Sequence, residues 1–425
     1  MGGSDSSTVD AHVTASRAAS APAATPPFDI AAWRARIPLL QSRIPMNACS
    51  QGPQLDVTRA AADEYLDSWN RAGMDWEAWM AETYRAKEEF ARLINASPDE
   101  IAVSSSVSEA TASLASSFDL TGARRRVVVT EAEFPSLGQV WLASRKLGWE
   151  VDWVPVRDQI IYPEDYEPVI DERTLLVSAT HAYYQNGYKQ DLAAVAERAH
   201  ARGALIYVDA YQSMGTCPID VKALDVDLLA TGNLKYLLGV PGIAFIYVRA
   251  DLVERLRPVN TGWFGRVDPF SFEVKGLDWA PTAARLDAGT PPVVNAYISR
   301  AGMAVINEVG PVNIEAWTTE LSRYLIEGGT RRGFKLHGTD DLARKTPSTA
   351  FFCPGGDSHR VEESLNERGV VASARGPVIR LAPHFYNTLE DCEAALNALQ
   401  AVFEEDLHDG GSAAAGVAAG HVEKA

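Results

Sequence analysis

Two short apolar runs, each followed by a charged residue, set the strongest limit on what this chain can fold into. Ala204-Leu-Ile-Tyr-Val208 leads into Asp209, and Val226-Asp-Leu-Leu-Ala230 leads, a few residues on, to Lys235. Runs of this length between turn signals and helical patterns read as buried strands of a parallel sheet. Open α/β sheets place ligands beyond the carboxyl ends of their strands. An acid and an amine at those ends are therefore candidates for chemistry.

The same rhythm continues on both sides. A short strand starts at Ile101, and Val127–Thr130, Val151–Val156, Leu175–Ala179 and Ile243–Val248 read as further strands. Asp191–Arg202 reads as a helix ended by Gly203. Strands joined by helices imply right-handed crossovers and a doubly wound, mainly parallel sheet. Residues 57–94 carry a helical pattern set with Trp76, Trp79, Tyr84 and Phe90, aromatics that read as packing. A long helix is expected from about Val294. Residues 320–404 read as a second, smaller α/β unit, with a strand near Ser348–Cys353, a helix at Arg360–Arg368, an extended stretch at Val370–Arg380 and a helix at Leu389–Phe403. The expected domains are an arm (28–60) belonging to the smaller unit, a large domain (61–310) and a small C-terminal domain (311–404). Residues 1–27 and 405–425, rich in Ala, Ser and Gly, read as disordered tails.

Composition narrows the function. A chain of 425 residues with 46% hydrophobic and 22% charged residues is an ordinary globular protein. A net charge of −17 argues against nucleic acid or an anionic membrane as partner. No apolar run is long enough for a membrane span. Cys49, Cys217, Cys353 and Cys392 are scattered without metal spacing. They suit reduced thiols in a cytoplasmic enzyme, and no metal site is expected.

Other strand-end residues join the candidates. Val107 and Ser108 stand where a strand turns into a helix, a place that suits a phosphate or is a plain serine cap. Phe134 follows the Val127 strand, where a ring could stack on a flat ligand, although a core phenylalanine is the simpler reading. His181, Tyr183 and Tyr184 follow the Leu175 strand, and a lone histidine there is usually structural. Pro45–Pro53 either crosses the mouth of a site or is a structural arm. Arg380 follows an apolar strand and calls for a carboxylate, from substrate or protein.

These pieces, in this order, resemble the class V aminotransferase superfamily of fold-type I pyridoxal phosphate (PLP) enzymes. It includes cysteine desulfurases, kynureninases, isopenicillin N epimerase-like proteins and C–S lyases. The resemblance covers about residues 40–404, and its most specific part is Asp209, Gln212, Lys235, Gly239 and Gly242. It implies that Lys235 holds PLP covalently and acts at the substrate Cα. It implies that Asp209 pairs with the ring nitrogen, Gln212 reaches the ring oxygen, and Phe134 stacks on the ring. Val107 and Ser108 match the phosphate turn, and Asn233 and Tyr184 fall beside the cofactor. Trp263 and Thr290 match residues that reach the phosphate of a neighbouring subunit, which implies a homodimer with shared sites. Arg380 matches the arginine that takes the substrate α-carboxylate.

Departures from the family narrow the reaction. Residues 370–380 contain no cysteine, which argues against sulfur abstraction through a loop persulfide. Leu234 stands directly before the lysine, where kynureninases have tyrosine, and Gln212 stands where they favour histidine. The expectation is β-elimination on a cysteine-derived or S-conjugated amino acid. Transamination, a decarboxylating or oxidative variant, and a non-catalytic scaffold are the alternatives. Retention of Lys235, Asp209 and Arg380 argues against the last.

Overall fold

The computed structural model of the chain describes residues 25–417, and side chains through residue 405. The parts of the expected tails at 1–24 and 418–425 lie outside the described residues. Among the described residues a seven-stranded sheet is built from β2 (Ile101–Ser104), β3 (Arg126–Thr130), β4 (Glu150–Val154), β5 (Thr174–Thr180), β6 (Leu205–Asp209), β7 (Leu228–Gly232) and β8 (Ala244–Val248). Its order is β2-β8-β7-β6-β5-β3-β4. Only β8 runs against its neighbours. Alternate residues of each strand enter separate cores. Val128, Val177, Ile206, Val208 and Leu229 face one, while Val127, Val129, Leu176, Tyr207 and Leu228 face the other. Both faces are thus covered, which is why these strands read as unbroken apolar runs.

Helices α2 (Asp56–Ala72), α3 (Trp76–Ile94), α4 (Val107–Ser117), α5 (Pro135–Ser144) and α6 (Leu192–Ala201) precede or connect these strands, and α1 (Ile30–Ala35) opens the arm. The single helical pattern expected over 57–94 is two helices. Gly73 takes φ +72° after the first, and Asp75 caps the second by accepting from the Ala78 amide. A similar break divides α7 (Val293–Val309) from α8 (Pro311–Arg331), where Gly310 has φ +86° ahead of a proline.

A second sheet, ordered β12-β13-β10-β9, is antiparallel throughout. It holds β9 (Leu336–His337), β10 (Thr349–Phe352), β12 (Ser373–Arg375) and β13 (Val378–Leu381). Helices α8, α9 (Ser358–Glu367) and α10 (Leu389–Val417) pack with it around their own apolar cluster. The arm joins this unit through β1 (Ile44–Pro45), which pairs in parallel with β11 (Val370–Val371). Helix α10 runs past 404 to Val417, into the stretch expected as a tail. No proline between 405 and 417 interrupts it.

Candidate active site

The carboxyl ends of β2, β3, β5, β6 and β7 converge on a cavity of about 250 Å³. Its wall includes Ser106, Val107 and Ser108 after β2, Phe134 after β3, Tyr184 after β5, Asp209, Tyr211 and Gln212 at the end of β6, and Lys235 after β7. Seven expected site residues are therefore assembled from five strand ends: Val107, Ser108, Phe134, Tyr184, Asp209, Gln212 and Lys235.

The Lys235 side chain is half-buried, and its amine lines the cavity without a hydrogen bond among the described residues. It stands 4.0 Å from the centroid of the Tyr211 ring and 5.7 Å from that of Phe134. Burial disfavours its charged form and brings its pKa down to about 8. The Asp209 carboxylate pulls the other way, and Arg380 and Arg375 add to the lowering. The loop that carries it is tightly enclosed. A Cβ on Gly52 would lie 2.6 Å from the Lys235 carbonyl oxygen, so the arm can approach only because position 52 is glycine.

Asp209 is 4% exposed and accepts a 2.8 Å bond from the Tyr211 amide. Burial raises its pKa, while the Tyr211 amide and the Lys235 amine oppose the rise. The Gln212 amide donates to the Cys49 carbonyl at 3.1 Å, tying the arm to the end of β6. Phe134 is 39% exposed, with its ring edge-on to Tyr184 at 5.3 Å. It belongs to the cavity wall and not to the core. At the first turn of α4 the cap is Ser106, whose hydroxyl accepts from the Glu109 amide.

Four expected residues lie off this wall. Asn233 is fully buried with its side-chain amide unpartnered, packed where Gly239 has no Cβ to obstruct it. Trp263 sits in an aromatic group with Trp76, Phe264, Phe270 and Phe272. Thr290 lines a separate cavity of about 390 Å³ beside Lys87 and Glu109. Arg380 is fully buried, and among the described residues it forms no ion pair with a carboxylate. It donates to the Tyr184 carbonyl at 2.6 Å, the Ser373 hydroxyl at 2.7 Å and the Ser50 hydroxyl at 3.0 Å. His181 is buried too. Burial, with Lys189, lowers its pKa to about 3, which suits a neutral structural role.

Ser50, Tyr211, Arg375 and Glu133 were not singled out from the sequence. Ser50 places the arm on the cavity wall, deciding between the two readings of Pro45–Pro53. Arg375 joins the wall from β12. Glu133 is buried near Asp209, with the Thr180 backbone as the one neighbour that favours its charged form. The signal available for Tyr211 and Arg375 was their closeness in sequence to Asp209 and Arg380. Ser50 and Glu133 had none beyond lying in loops. Among the described residues no cluster could hold a metal ion, and no helix is long and apolar enough to cross a membrane.

Fold and site together give an α/β protein with a lysine amine and a strand-end carboxylate in one cavity. The chain matches the family model for aminotransferase class-V over residues 46–389 and belongs to that family. It is 36% identical over 375 residues to the uncharacterized aminotransferase YcbU of Bacillus subtilis, covering 87% of this chain and 97% of that protein. It is 30% identical over 389 residues to a probable cysteine desulfurase of Methanothermobacter thermautotrophicus, covering 85% and 94%. In architecture it is similar to the apo cysteine desulfurase of Thermococcus onnurineus NA1, with a TM-score of 0.80, 23% identity, and 90% and 99% of the two chains covered.

The cofactor of this family is pyridoxal 5′-phosphate, and the residues present fit it. An amine with a lowered pKa suits an aldehyde, and a buried carboxylate suits a protonated ring nitrogen. A half-exposed phenylalanine ring suits a flat heterocycle, and the open first turn of α4 suits a phosphate.

Proposed function

We propose that this enzyme acts on an α-amino acid at its Cα, by β-elimination on a cysteine-derived or S-conjugated substrate. The observation that carries the reading is the meeting of Lys235, Asp209 and Phe134 at one cavity, with no cysteine in the β11–β13 segment beside it. PLP supplies an electron sink for the pair released when a bond at Cα breaks. Lys235 would anchor the cofactor and would take the Cα proton of the substrate, for which a pKa near 8 is suited. Asp209 keeps the ring nitrogen charged, Gln212 reaches the ring oxygen, Phe134 covers the ring, and Ser106–Ser108 hold the phosphate. Arg380 takes the α-carboxylate by exchanging its contacts to Ser50 and Tyr184. The β-substituent then leaves into the cavity, since Ser373 and Ala374 offer no thiol to receive it.

Homodimerisation and a cytoplasmic setting are part of the proposal. Trp263 and Thr290 lie off the Lys235 cavity, and Phe270, Phe272 and Val274 near Trp263 are exposed apolar residues that a second copy would cover. Cys49, Cys217 and Cys392 are buried thiols outside any disulfide. A second reading, transamination, is favoured by the name of the Bacillus relative.

The test is to incubate the PLP-loaded protein with amino acids and cysteine S-conjugates, with and without a keto acid, and to identify the products by mass. Pyruvate and ammonia formed without a keto acid support elimination. An absolute need for a keto acid supports transamination. A colourless protein that binds no PLP would overturn both.

A further inference from the structure

The proposed roles leave one charged side chain of the cavity unused. Asp209 is assigned to the ring nitrogen, Lys235 to the cofactor, the first turn of α4 to the phosphate and Arg380 to the α-carboxylate. Arg375 remains. It lies on the cavity wall together with Ser50 and Tyr184, the two residues that also bond Arg380. Register explains the placement. Ser373 pairs directly with Arg380 across β12 and β13, and side chains two apart on a strand share a face. Ser373, Arg375 and Arg380 therefore stand on one face of the second sheet.

Nothing in the chain neutralises Arg375. Its guanidinium donates to the Ala374 carbonyl at 3.1 Å, and no carboxylate lies within ion-pair distance among the described residues. Glu362, the nearest acid to influence it, is held by the Ala374 amide. Burial and the neighbouring Arg380 both disfavour the charge. The groups that act on Arg375 are Arg380, Cys49, Glu362 and Tyr184. One carboxylate is satisfied by one bidentate guanidinium, and a second, half-buried guanidinium on the same cavity wall can take a second anion.

We propose that Arg375 is a specificity-determining residue that receives a second acidic group, so that the substrate is an amino acid whose side chain ends in a carboxylate. The inference rests on the proposed function and narrows it, from any S-conjugated or cysteine-derived amino acid to one bearing a distal acid.

The experiment uses the full-length PLP-loaded protein and matched probes that differ only in charge. These are S-carboxymethyl-L-cysteine against S-carbamoylmethyl-L-cysteine, and L-glutamate against L-glutamine. Affinity is read from the change in the cofactor's visible absorption on titration, alongside kcat/KM. The expected result is a preference of about tenfold or more for each acid over its amide. Arg375→Gln should lower the acid's affinity about tenfold more than the amide's, and Arg375→Lys should keep part of the preference. Equal affinity of the wild-type protein for acid and amide overturns the proposal. So does an equal loss for both probes in Arg375→Gln, which would make Arg375 a partner in α-carboxylate binding, or a loss of PLP itself, which would make it a cofactor residue. A protein that holds PLP but responds to no amino acid removes the parent function, and this inference with it.

Discussion

The Lys235 amine rests 4.0 Å from the centroid of the Tyr211 ring, and the amide of that same tyrosine donates to the Asp209 carboxylate at 2.8 Å. One residue thus touches both members of the central pair. The ring's face attracts the ammonium form of Lys235, while burial disfavours it. Tyr211 can stand there because position 232, at the end of β7, is glycine. A Cβ on Gly232 would come within 2.1–2.3 Å of the Tyr211 ring. Gly232→Ala should push the ring toward the cavity and weaken PLP binding about tenfold or more, as an overpacking penalty of about 1–3 kcal/mol implies. Fluorescence titration of the cofactor-free protein with PLP measures this. The double variant with Tyr211→Ala should bind PLP as Tyr211→Ala alone does, because the clash then has no second partner.

A lysine with its ordinary pKa of 10.5 keeps fewer than about one amine in a hundred neutral at pH 8, whereas one with a pKa of about 8 keeps half. Only the neutral amine attacks an aldehyde. Covalent capture of PLP by the cofactor-free protein should therefore speed up with rising pH and level off just above 8. Stopped-flow absorbance across pH 6–10 gives the profile. A rate still climbing steadily at pH 10 would show that burial does not depress the amine. Arg375→Gln or Arg380→Gln should move the midpoint upward, since both guanidiniums lower the lysine's pKa.

Lys235, Asp209 and the sheet that carries them were legible because each physical signal was local. Apolar runs buried on both faces announced β5, β6 and β7, and the rule that ligands sit at strand ends picked out the residues. Phe134 was harder, since only the cavity distinguishes a wall phenylalanine from a core one. Ser50 was not legible at all, and Arg375 only through its closeness in sequence to Arg380. Both reach the cavity through pairings remote in sequence: β1 against β11 for the arm, and β12 against β13 for Arg375. Periodicity within a segment carries no information about such pairings. Arg380 was read as a strand-end arginine calling for a carboxylate, and in the fold a carbonyl and hydroxyls meet it instead. Its partners, one carbonyl and two hydroxyls among them, come from three separate parts of the chain. The break at Gly73 was visible in sequence as a glycine, but an amphipathic pattern on both sides concealed it.

Asp209 should show opposite signs in stability and in function. Its pKa is raised by burial, so the folded chain holds a proton that the unfolded chain has already released. The stability this contributes is complete below the ordinary carboxyl range and is lost as pH rises through the raised value. Asp209→Asn cannot lose it. In the cofactor-free protein the variant should therefore match or exceed the wild type in thermal stability near pH 8. Catalysis should fall about 10²-fold or more, because a neutral amide cannot hold the ring nitrogen charged. Paired melting and turnover measurements decide the point. A variant that is less stable and merely proportionately less active would mark Asp209 as structural.

Glu133 offers the sharpest dependence on pH. Its carboxylate is buried, and burial together with the nearby Asp209 raises its pKa well above the ordinary 4.5, against a backbone contact from Thr180. The protonated form is thus favoured. Its contribution to stability is intact below pH 4.5 and declines as pH rises toward the folded value. Glu133→Gln keeps the shape of that protonated acid and has no proton to lose. Melting temperatures of the cofactor-free wild type and variant should therefore coincide near pH 4.5 and separate as pH rises, with the variant ahead by about 1 °C for each kcal/mol gained. A constant difference at every pH would mean that Glu133 differs from glutamine in packing alone. A lower melting point for the variant at pH 8 would mean that the carboxylate is ionised in the fold, with Lys235 then the nearest cation known to act on Asp209 beside it.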